Sequence, residues 1–113
     1  MFYIYHNNRC RKSREALQFL ENLNQPFEVV YYLETPPTQI QLKSILSKLS
    51  ISAIELVRKN ETIWKENYKG QTFSEEELIK IMCENPKLVE RPIVIKDNKA
   101  VVARPADEIA KLN

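Results

Sequence analysis

Hydrophobic and polar residues at the start of the chain follow the pattern of a strand, a helix and a second strand. Phe2–Tyr5 consists of aromatic and β-branched residues, which predicts a short buried strand. Apolar residues then recur at three- and four-residue spacing from Ala16 to Leu23, as on one face of a helix that begins at Cys10. A second apolar run, residues 27–33, predicts the next strand. This order favours a parallel β-α-β unit, because two parallel strands need a crossover between them.

The middle of the chain is predicted to be a block of helices. Three polar positions are candidate N-caps for them: Thr38, Ser52 (or Ser50 in its place) and Ser74. The corresponding helices are expected over residues 39–49, through residue 57 and up to Cys83. The apolar face of the first of these helices is expected to consist of Ile40, Leu42, Ile45, Leu46 and Leu49.

The last part of the chain returns to strands. Residues 92–95 and 100–102 predict two strands that form a hairpin across a polar turn. Pro105 fits the first position of a helix, which is expected over Ala106–Leu112.

The complete order is therefore β-α-β, then helices over approximately residues 38–88, then β-β-α. This is the connectivity of the thioredoxin fold. We expect one α/β domain over residues 1–113, with the helical block inserted between the two halves of the fold.

Composition excludes several classes of function. A single glycine excludes a glycine-rich phosphate loop or a dinucleotide-binding fingerprint. The 17 basic and 15 acidic residues leave a net charge of +2, which argues against a dedicated nucleic-acid binder. No apolar run approaches the roughly 20 residues that cross a bilayer, and the N-terminal residues lack the features of a signal peptide. Together with two cysteines that do not form a disulfide framework, this indicates a cytoplasmic protein without membrane partners.

Cys10 is the strongest candidate for chemistry. It lies where a polar turn meets a helix N-terminus, so unpaired backbone N–H groups and the helix dipole favour its thiolate. Arg9, Arg11 and Lys12 add positive charge nearby. A nucleophilic thiolate in an anion-binding position predicts an oxyanion substrate.

The two cysteines and the histidine can also have purely structural roles. A buried structural Cys10 is disfavoured by its polar and charged neighbours, whereas Cys83 is favoured as a core or surface thiol. Ser13 replaces the second cysteine of a Cys-x-x-Cys pair, so a local disulfide is excluded. His6 either orients or deprotonates Cys10, or it holds the polar turn of residues 6–9 that precedes Cys10, called the Cys10 turn; the structural role is slightly favoured. One histidine and two distant cysteines predict no metal site and no tightly bound cofactor.

Three further arginines lie beside irregular features of the chain: Arg58, Arg91 and Arg104. Each by itself is a candidate surface charge. A planar guanidinium is nevertheless suited to bidentate binding of a tetrahedral oxyanion. Their spacing does not show whether they converge.

Residues 6–14, His6-Asn7-Asn8-Arg9-Cys10-Arg11-Lys12-Ser13-Arg14, resemble the His-x3-Cys-x3-Arg signature of the glutaredoxin-coupled arsenate reductases, the ArsC family. The resemblance continues in family order through residues 32–37, 56–60, 91–94 and 104–105. It therefore covers nearly the whole chain. Asn8 is a departure, since full-length members often have a proline two residues before the cysteine.

The resemblance implies a thioredoxin-like fold with a helical insertion and a set of site residues. Cys10 would be the nucleophile, and the implied oxyanion clamp consists of Arg58, Arg91 and Arg104. The implied supporting residues are His6 and Arg14, which support the Cys10 turn, Ser13 near the thiolate, and Pro92 as a cis-proline beside the active cysteine.

The same resemblance implies the reaction and its partners. The thiolate would attack arsenate or a related oxyanion to form a covalent adduct. Glutathione would then act as the thiol co-substrate, a glutaredoxin would resolve the mixed species, and arsenite would leave. Two alternatives stay open: an Spx-like regulator that binds RNA polymerase, and a thiol oxidoreductase of the same fold with another substrate. Ser13 argues against the Cys-x-x-Cys redox switch of the sensing regulators.

Overall fold

A computed structural model describes all residues from 1 to 113. The chain forms two compact units, one made of residues 1–35 and 91–113, the other of residues 36–90. The second unit extends two residues beyond each end of the predicted helical block, which was residues 38–88. No helix in the chain has both the length and the apolar character needed to span a bilayer.

The first unit is a four-stranded sheet with two helices. Its elements are β1 (Phe2–Tyr5), α1 (Arg11–Asn22), β2 (Phe27–Val30), β3 (Ile93–Lys96), β4 (Lys99–Val102) and a 3-10 helix over Ala106–Leu112. The strand order is β2-β1-β3-β4. β1 runs parallel to β2 and antiparallel to β3, and β3 runs antiparallel to β4. The predicted β-α-β unit and the C-terminal hairpin are both confirmed.

A buried hydrophobic cluster of this unit lies on one side of the sheet. Alternate residues of β1, Phe2 and Ile4, point into it because side chains along a strand alternate between faces. The other buried members of the cluster are Ala16, Leu20, Val94, Ala103, Ile109 and Leu112. Burying each large side chain contributes about 1.5–3 kcal/mol. This packing fixes the end of β1 and the start of α1, and the segment that contains Cys10 connects the two.

Two predictions in the first unit were wrong in detail. β2 ends at Val30 rather than at residue 33, because the chain turns there and the N–H groups of Glu34 and Thr35 both donate to the Tyr31 carbonyl. The terminal helix is a 3-10 helix, and Pro105 precedes it as the N-cap, with extended backbone angles of φ −75° and ψ 167°.

The second unit is helical. Its elements are α2 (Gln39–Leu49), α3 (Ala53–Leu56), α4 (Thr62–Asn67), α5 (Glu75–Glu84) and a 3-10 helix over Pro86–Leu88. The predicted caps Thr38, Ser52 and Ser74 are confirmed as N-caps, each within a capping box. Leu42, Ile45 and Leu46 of α2 are buried as expected.

Ile40 and α4 depart from the sequence predictions for this unit. Ile40 is 82% exposed, so its inclusion in the buried face of α2 was wrong. α4 was not predicted, since its N-cap Glu61 makes no side-chain capping bond. The helix is instead stabilised by aromatic packing, in which the ring of buried Trp64 lies 5.6 Å from Tyr68 and 6.1 Å from Phe73.

Candidate active site

Cys10 is the N-cap of α1. Its backbone is extended, with φ −96° and ψ 120°, and its carbonyl accepts the N–H of Arg14 at 3.0 Å. Its own N–H donates to the Asn7 carbonyl at 3.0 Å. The sulfur makes no side-chain capping bond, although the first-turn N–H groups of Lys12 and Ser13 lie close enough to act on its charge. The thiol is partly exposed, which leaves it accessible to a reactant.

Burial and hydrogen bonding act on the Cys10 thiol in opposite directions. Partial burial is the largest single influence and disfavours the thiolate, whereas the Ser13 N–H, the Arg91 guanidinium and the Lys12 N–H all donate to the sulfur or attract its charge. The donors outweigh burial, and the pKa of Cys10 lies below its ordinary value. Two of the donors are first-turn N–H groups of α1, as expected for a thiolate at a helix N-terminus.

The sheet topology brings Arg91 and Arg104 to the edge where Cys10 lies. Tyr5 at the end of β1 pairs with Ile93 at the start of β3, and Ile93 pairs with Val102 at the end of β4. The residues that flank these strand ends therefore meet at one edge of the sheet. Here the Arg91 side chain bonds the Cys10 sulfur, and Arg104 Nη1 donates to the Arg91 carbonyl at 3.3 Å. The Arg91–Pro92 peptide bond is cis, as the resemblance implied for Pro92, and so is Arg104–Pro105.

Arg11 and Lys12 were expected to add positive charge beside the Cys10 sulfur, but their side chains pair with Glu15. Arg11 Nε bonds Glu15 at 3.2 Å, and Lys12 Nζ lies 3.7 Å from the same carboxylate. Both side chains thus point along α1, and the side-chain charge at the sulfur comes from Arg91. Sequence spacing could not identify Arg91 as this neighbour.

His6 and Ser13 form a buried pair beside Cys10. Only 1% of His6 and none of Ser13 is exposed, and His6 Nδ1 lies 2.6 Å from Ser13 Oγ. The other ring nitrogen, Nε2, lies 2.6 Å from Asn8 Oδ1. Because both nitrogens have these partners, His6 holds the turn and does not contact the Cys10 sulfur as a base. Arg14 Nη1 also supports the turn, since it donates to the Asn8 carbonyl at 2.8 Å.

Arg58 lies in the second unit, directly after α3. Its N–H donates to the Leu88 carbonyl at 2.7 Å. Its guanidinium is held by two acidic residues that sequence reasoning missed: Nη1 lies 3.3 Å from a Glu90 oxygen and Nη2 lies 3.7 Å from a Glu61 oxygen. The buried Nε has no hydrogen-bond partner. Only 20% of the Arg58 side chain is exposed. Arg58 is therefore not the solvated surface charge that its sequence position alone suggested.

Comparison with known proteins gives the family. The model of the ArsC family matches residues 5–112. The chain belongs to the ArsC family.

Several relatives and solved structures of ArsC-family proteins resemble it along their whole length. The protein is 46% identical to the uncharacterized protein YfgD of Escherichia coli, over 96% of this chain and 93% of that one. It is 41% identical to an arsenate reductase of Neisseria meningitidis, over 94% of this chain and 92% of the relative. A solved arsenate reductase from Vibrio cholerae superposes with a TM-score of 0.95 at 37% identity, covering 99% of this chain and 97% of that one. The thioredoxin-like fold is thereby confirmed.

A cavity of about 330 Å³ lies beside the Cys10 turn of this ArsC-family chain. It is lined by His6, Asn7, Asn8, Arg9, Tyr31, Leu33 and Glu34. Tyr31 meets the His6 ring edge-on, with 5.9 Å between the ring centres. Arg9 and Glu34 carry opposite charges and form no ion pair with each other, so both remain available to a ligand. Sequence reasoning did not find this cavity, because Glu34 reaches it only through the turn after β2.

Cys83 differs from Cys10 in its surroundings. It lies on α5 and is partly buried. Burial raises the pKa of the Cys83 thiol, and the neighbouring Glu84 carboxylate raises it further. Of the two thiols, only Cys10 has an environment that favours the nucleophilic form.

Proposed function

We propose that this ArsC-family protein reduces arsenate to arsenite through a covalent adduct on Cys10. The observation that supports this most strongly is the Cys10 sulfur held between two helix N–H groups and the Arg91 guanidinium, which lower its pKa. The arsenate reductases among its relatives point to the same substrate class.

The first step is a substitution at arsenic. The Cys10 thiolate attacks the arsenic atom, an S–As bond forms, and one As–O bond breaks as that oxygen leaves as water after taking up protons. Arg91 and Arg104, which lie with Cys10 in the first unit, stabilise the negative charge on the remaining oxygens; the resemblance implies the same role for Arg58. Arg91 then has two roles, because it also favours the attacking thiolate.

The later steps need two external thiols, because Ser13 occupies the position of a local resolving cysteine. Glutathione displaces a second oxygen as water and forms an As–S bond. A glutaredoxin thiolate then attacks the glutathione sulfur, a mixed disulfide forms, and the two electrons of the broken As–S bond reduce arsenic(V) to arsenic(III). Water releases arsenite from Cys10 and restores the thiol. In sum, two thiols become one disulfide and arsenate loses one oxygen as water.

The cavity beside the Cys10 turn supports glutathione as the first of these thiols. The γ-glutamyl end of glutathione carries an ammonium and a carboxylate close together. Glu34 and Arg9 line one cavity with opposite charges that are not paired to each other. Such a pair complements a zwitterion, with Glu34 facing the ammonium and Arg9 facing the carboxylate.

The test is a coupled assay with purified protein, arsenate, glutathione, a glutaredoxin and an NADPH-dependent glutathione reductase. We expect arsenate-dependent loss of NADPH together with arsenite formation. Cys10→Ser should abolish both, whereas the matched Cys83→Ser variant should retain them. If Cys10 alkylates quickly at neutral pH but no arsenite forms, the proposed substrate is wrong, and the site serves another oxyanion or disulfide.

A further inference from the structure

A chain of short hydrogen bonds joins Asn8 to Ser13, whose N–H acts on the Cys10 thiol. Asn8 Oδ1 lies 2.6 Å from His6 Nε2, and His6 Nδ1 lies 2.6 Å from Ser13 Oγ. Ser13 Oγ also accepts the Asn7 N–H at 3.0 Å, and the Ser13 N–H favours the thiolate form of Cys10. Asn8 itself is exposed, whereas the two residues that it reaches through, His6 and Ser13, are buried.

With Asn8 Oδ1 facing the ring, the donors and acceptors of this chain match in one arrangement of protons on a neutral His6. An amide oxygen accepts and cannot donate, so the His6 Nε2 that faces Asn8 Oδ1 carries a proton. In the neutral ring, Nδ1 is then an acceptor, and the Ser13 hydroxyl donates to it. The Ser13 oxygen keeps a lone pair for the Asn7 N–H. In the opposite tautomer, Nδ1–H would donate to Ser13, and the buried hydroxyl proton would lose its acceptor.

We propose that Asn8 is a positioning residue that holds His6 in its Nε2–H tautomer, so that Nδ1 accepts the Ser13 hydroxyl and fixes the first turn of α1 at the Cys10 sulfur. Asn8 does not touch the reacting atoms and acts through His6 and Ser13. The part of this inference that concerns reactivity rests on the proposed role of Cys10. The part that concerns the tautomer does not.

The tautomer can be measured directly, because His6 is the single histidine of the chain. Nitrogen-15 correlation spectra of the imidazole distinguish a protonated from an unprotonated Nδ1 and Nε2. We expect the wild-type protein to show the proton on Nε2. A proton mainly on Nδ1 would overturn the proposal, and this measurement requires no variant.

Three variants then test whether Asn8 selects this state. Asn8→Leu has similar size without an acceptor, and we expect it to give a mixture of tautomers. Asn8→Asp keeps an acceptor oxygen, and we expect the proton to stay on Nε2. Asn22→Leu, an exposed position at the far end of α1, is the control and should leave the histidine signals unchanged. A single Nε2–H state in Asn8→Leu would contradict the inference.

The link to Cys10 is tested by alkylation of the thiol across pH, in the presence of Cys83→Ser so that only one thiol reacts. We expect Asn8→Leu to react several-fold more slowly at neutral pH, with its midpoint moved toward that of free cysteine. If Asn8→Leu changes the His6 tautomer but leaves the pH profile of Cys10 alkylation unchanged, Asn8 does not act on the Cys10 thiol, and that part of the proposal is wrong. Neither readout uses arsenate, so a failure of the proposed arsenate reduction leaves both results interpretable.

Discussion

The Cys10 sulfur accepts a hydrogen bond from the Arg91 guanidinium, although the two residues lie in opposite halves of the sequence. The contact depends on sheet register. β3 pairs antiparallel with β1, and this places the residue before β3 beside the turn that follows β1. The same guanidinium is thus positioned both to stabilise a thiolate and to meet an oxyanion that the thiolate attacks.

Cys10 should react with iodoacetamide at lower pH than free cysteine does. Burial opposes ionisation, but the Ser13 N–H, Arg91 and the Lys12 N–H outweigh it and lower the pKa of Cys10. The thiolate form therefore contributes stability above the unfolded-state pKa, and this contribution is lost as pH falls through the folded-state pKa. A rate profile in the Cys83→Ser background measures the midpoint. A midpoint at or above that of a cysteine peptide would contradict the prediction.

Arg91→Ala should slow alkylation of Cys10 at neutral pH. The substitution removes one charge-assisted hydrogen bond, worth about 1.5–3 kcal/mol when buried and roughly 1 kcal/mol at this partly exposed position, or about fivefold in thiolate population. The pH–rate profile should move upward accordingly. Lys99→Ala, an exposed change at the hairpin, is the control. Equal profiles for the two variants would mean that Arg91 does not stabilise the thiolate.

Glu34→Gln should weaken the reaction of Cys10 with glutathione more than its reaction with a small neutral disulfide. The carboxylate lines the cavity beside the Cys10 turn, where it faces no cation within ion-pair distance. We expect the rate with oxidised glutathione to fall about threefold to tenfold, as for loss of roughly 1 kcal/mol of charge contact. The rate with hydroxyethyl disulfide should stay unchanged, and Glu28→Gln on β2 is the matched control. Parallel losses with both disulfides would argue against a glutathione subsite.

Ser13→Ala should lower both stability and Cys10 reactivity. The hydroxyl is buried and pairs with His6 Nδ1 and the Asn7 N–H, so its removal leaves one buried and one partly buried polar group without this partner. The expected cost is about 1–3 kcal/mol, measured by urea unfolding. Ser47→Ala, exposed on α2, should change stability by less than about 0.5 kcal/mol. Equal stability of the two variants would refute the structural role of the Ser13 hydroxyl.

Leu20→Ala and Ile40→Ala should differ widely in their effect on stability, although both remove part of a branched side chain from a helix. Leu20 is 1% exposed in the core beside β1, and its truncation should cost about 2–5 kcal/mol. Ile40 is 82% exposed on α2, and its truncation should cost less than about 0.5 kcal/mol. Chemical denaturation of each variant measures the difference. A large loss of stability for Ile40→Ala would contradict the exposed position of this side chain.

Interactions between residues close in sequence determine most of the helix positions in this protein. Periodic apolar positions located α1 and α2, and side-chain caps located the starts of α2 at Thr38 and of α5 at Ser74, because these interactions span only three or four residues. The position of Cys10 at the start of α1 was equally local. α4 was not predicted, because it has no side-chain cap and depends instead on aromatic packing around Trp64.

Tertiary structure decided how the site is assembled. Sequence alone placed Arg11 and Lys12 near Cys10, yet their side chains pair with Glu15, and Arg91 reaches the sulfur instead. The pairing of β1 with β3, and the burial of His6 against Ser13, join residues whose separation along the chain gives no periodic signal. Contacts within one helical turn follow from the local backbone, whereas contacts across a sheet depend on the register that the whole core selects.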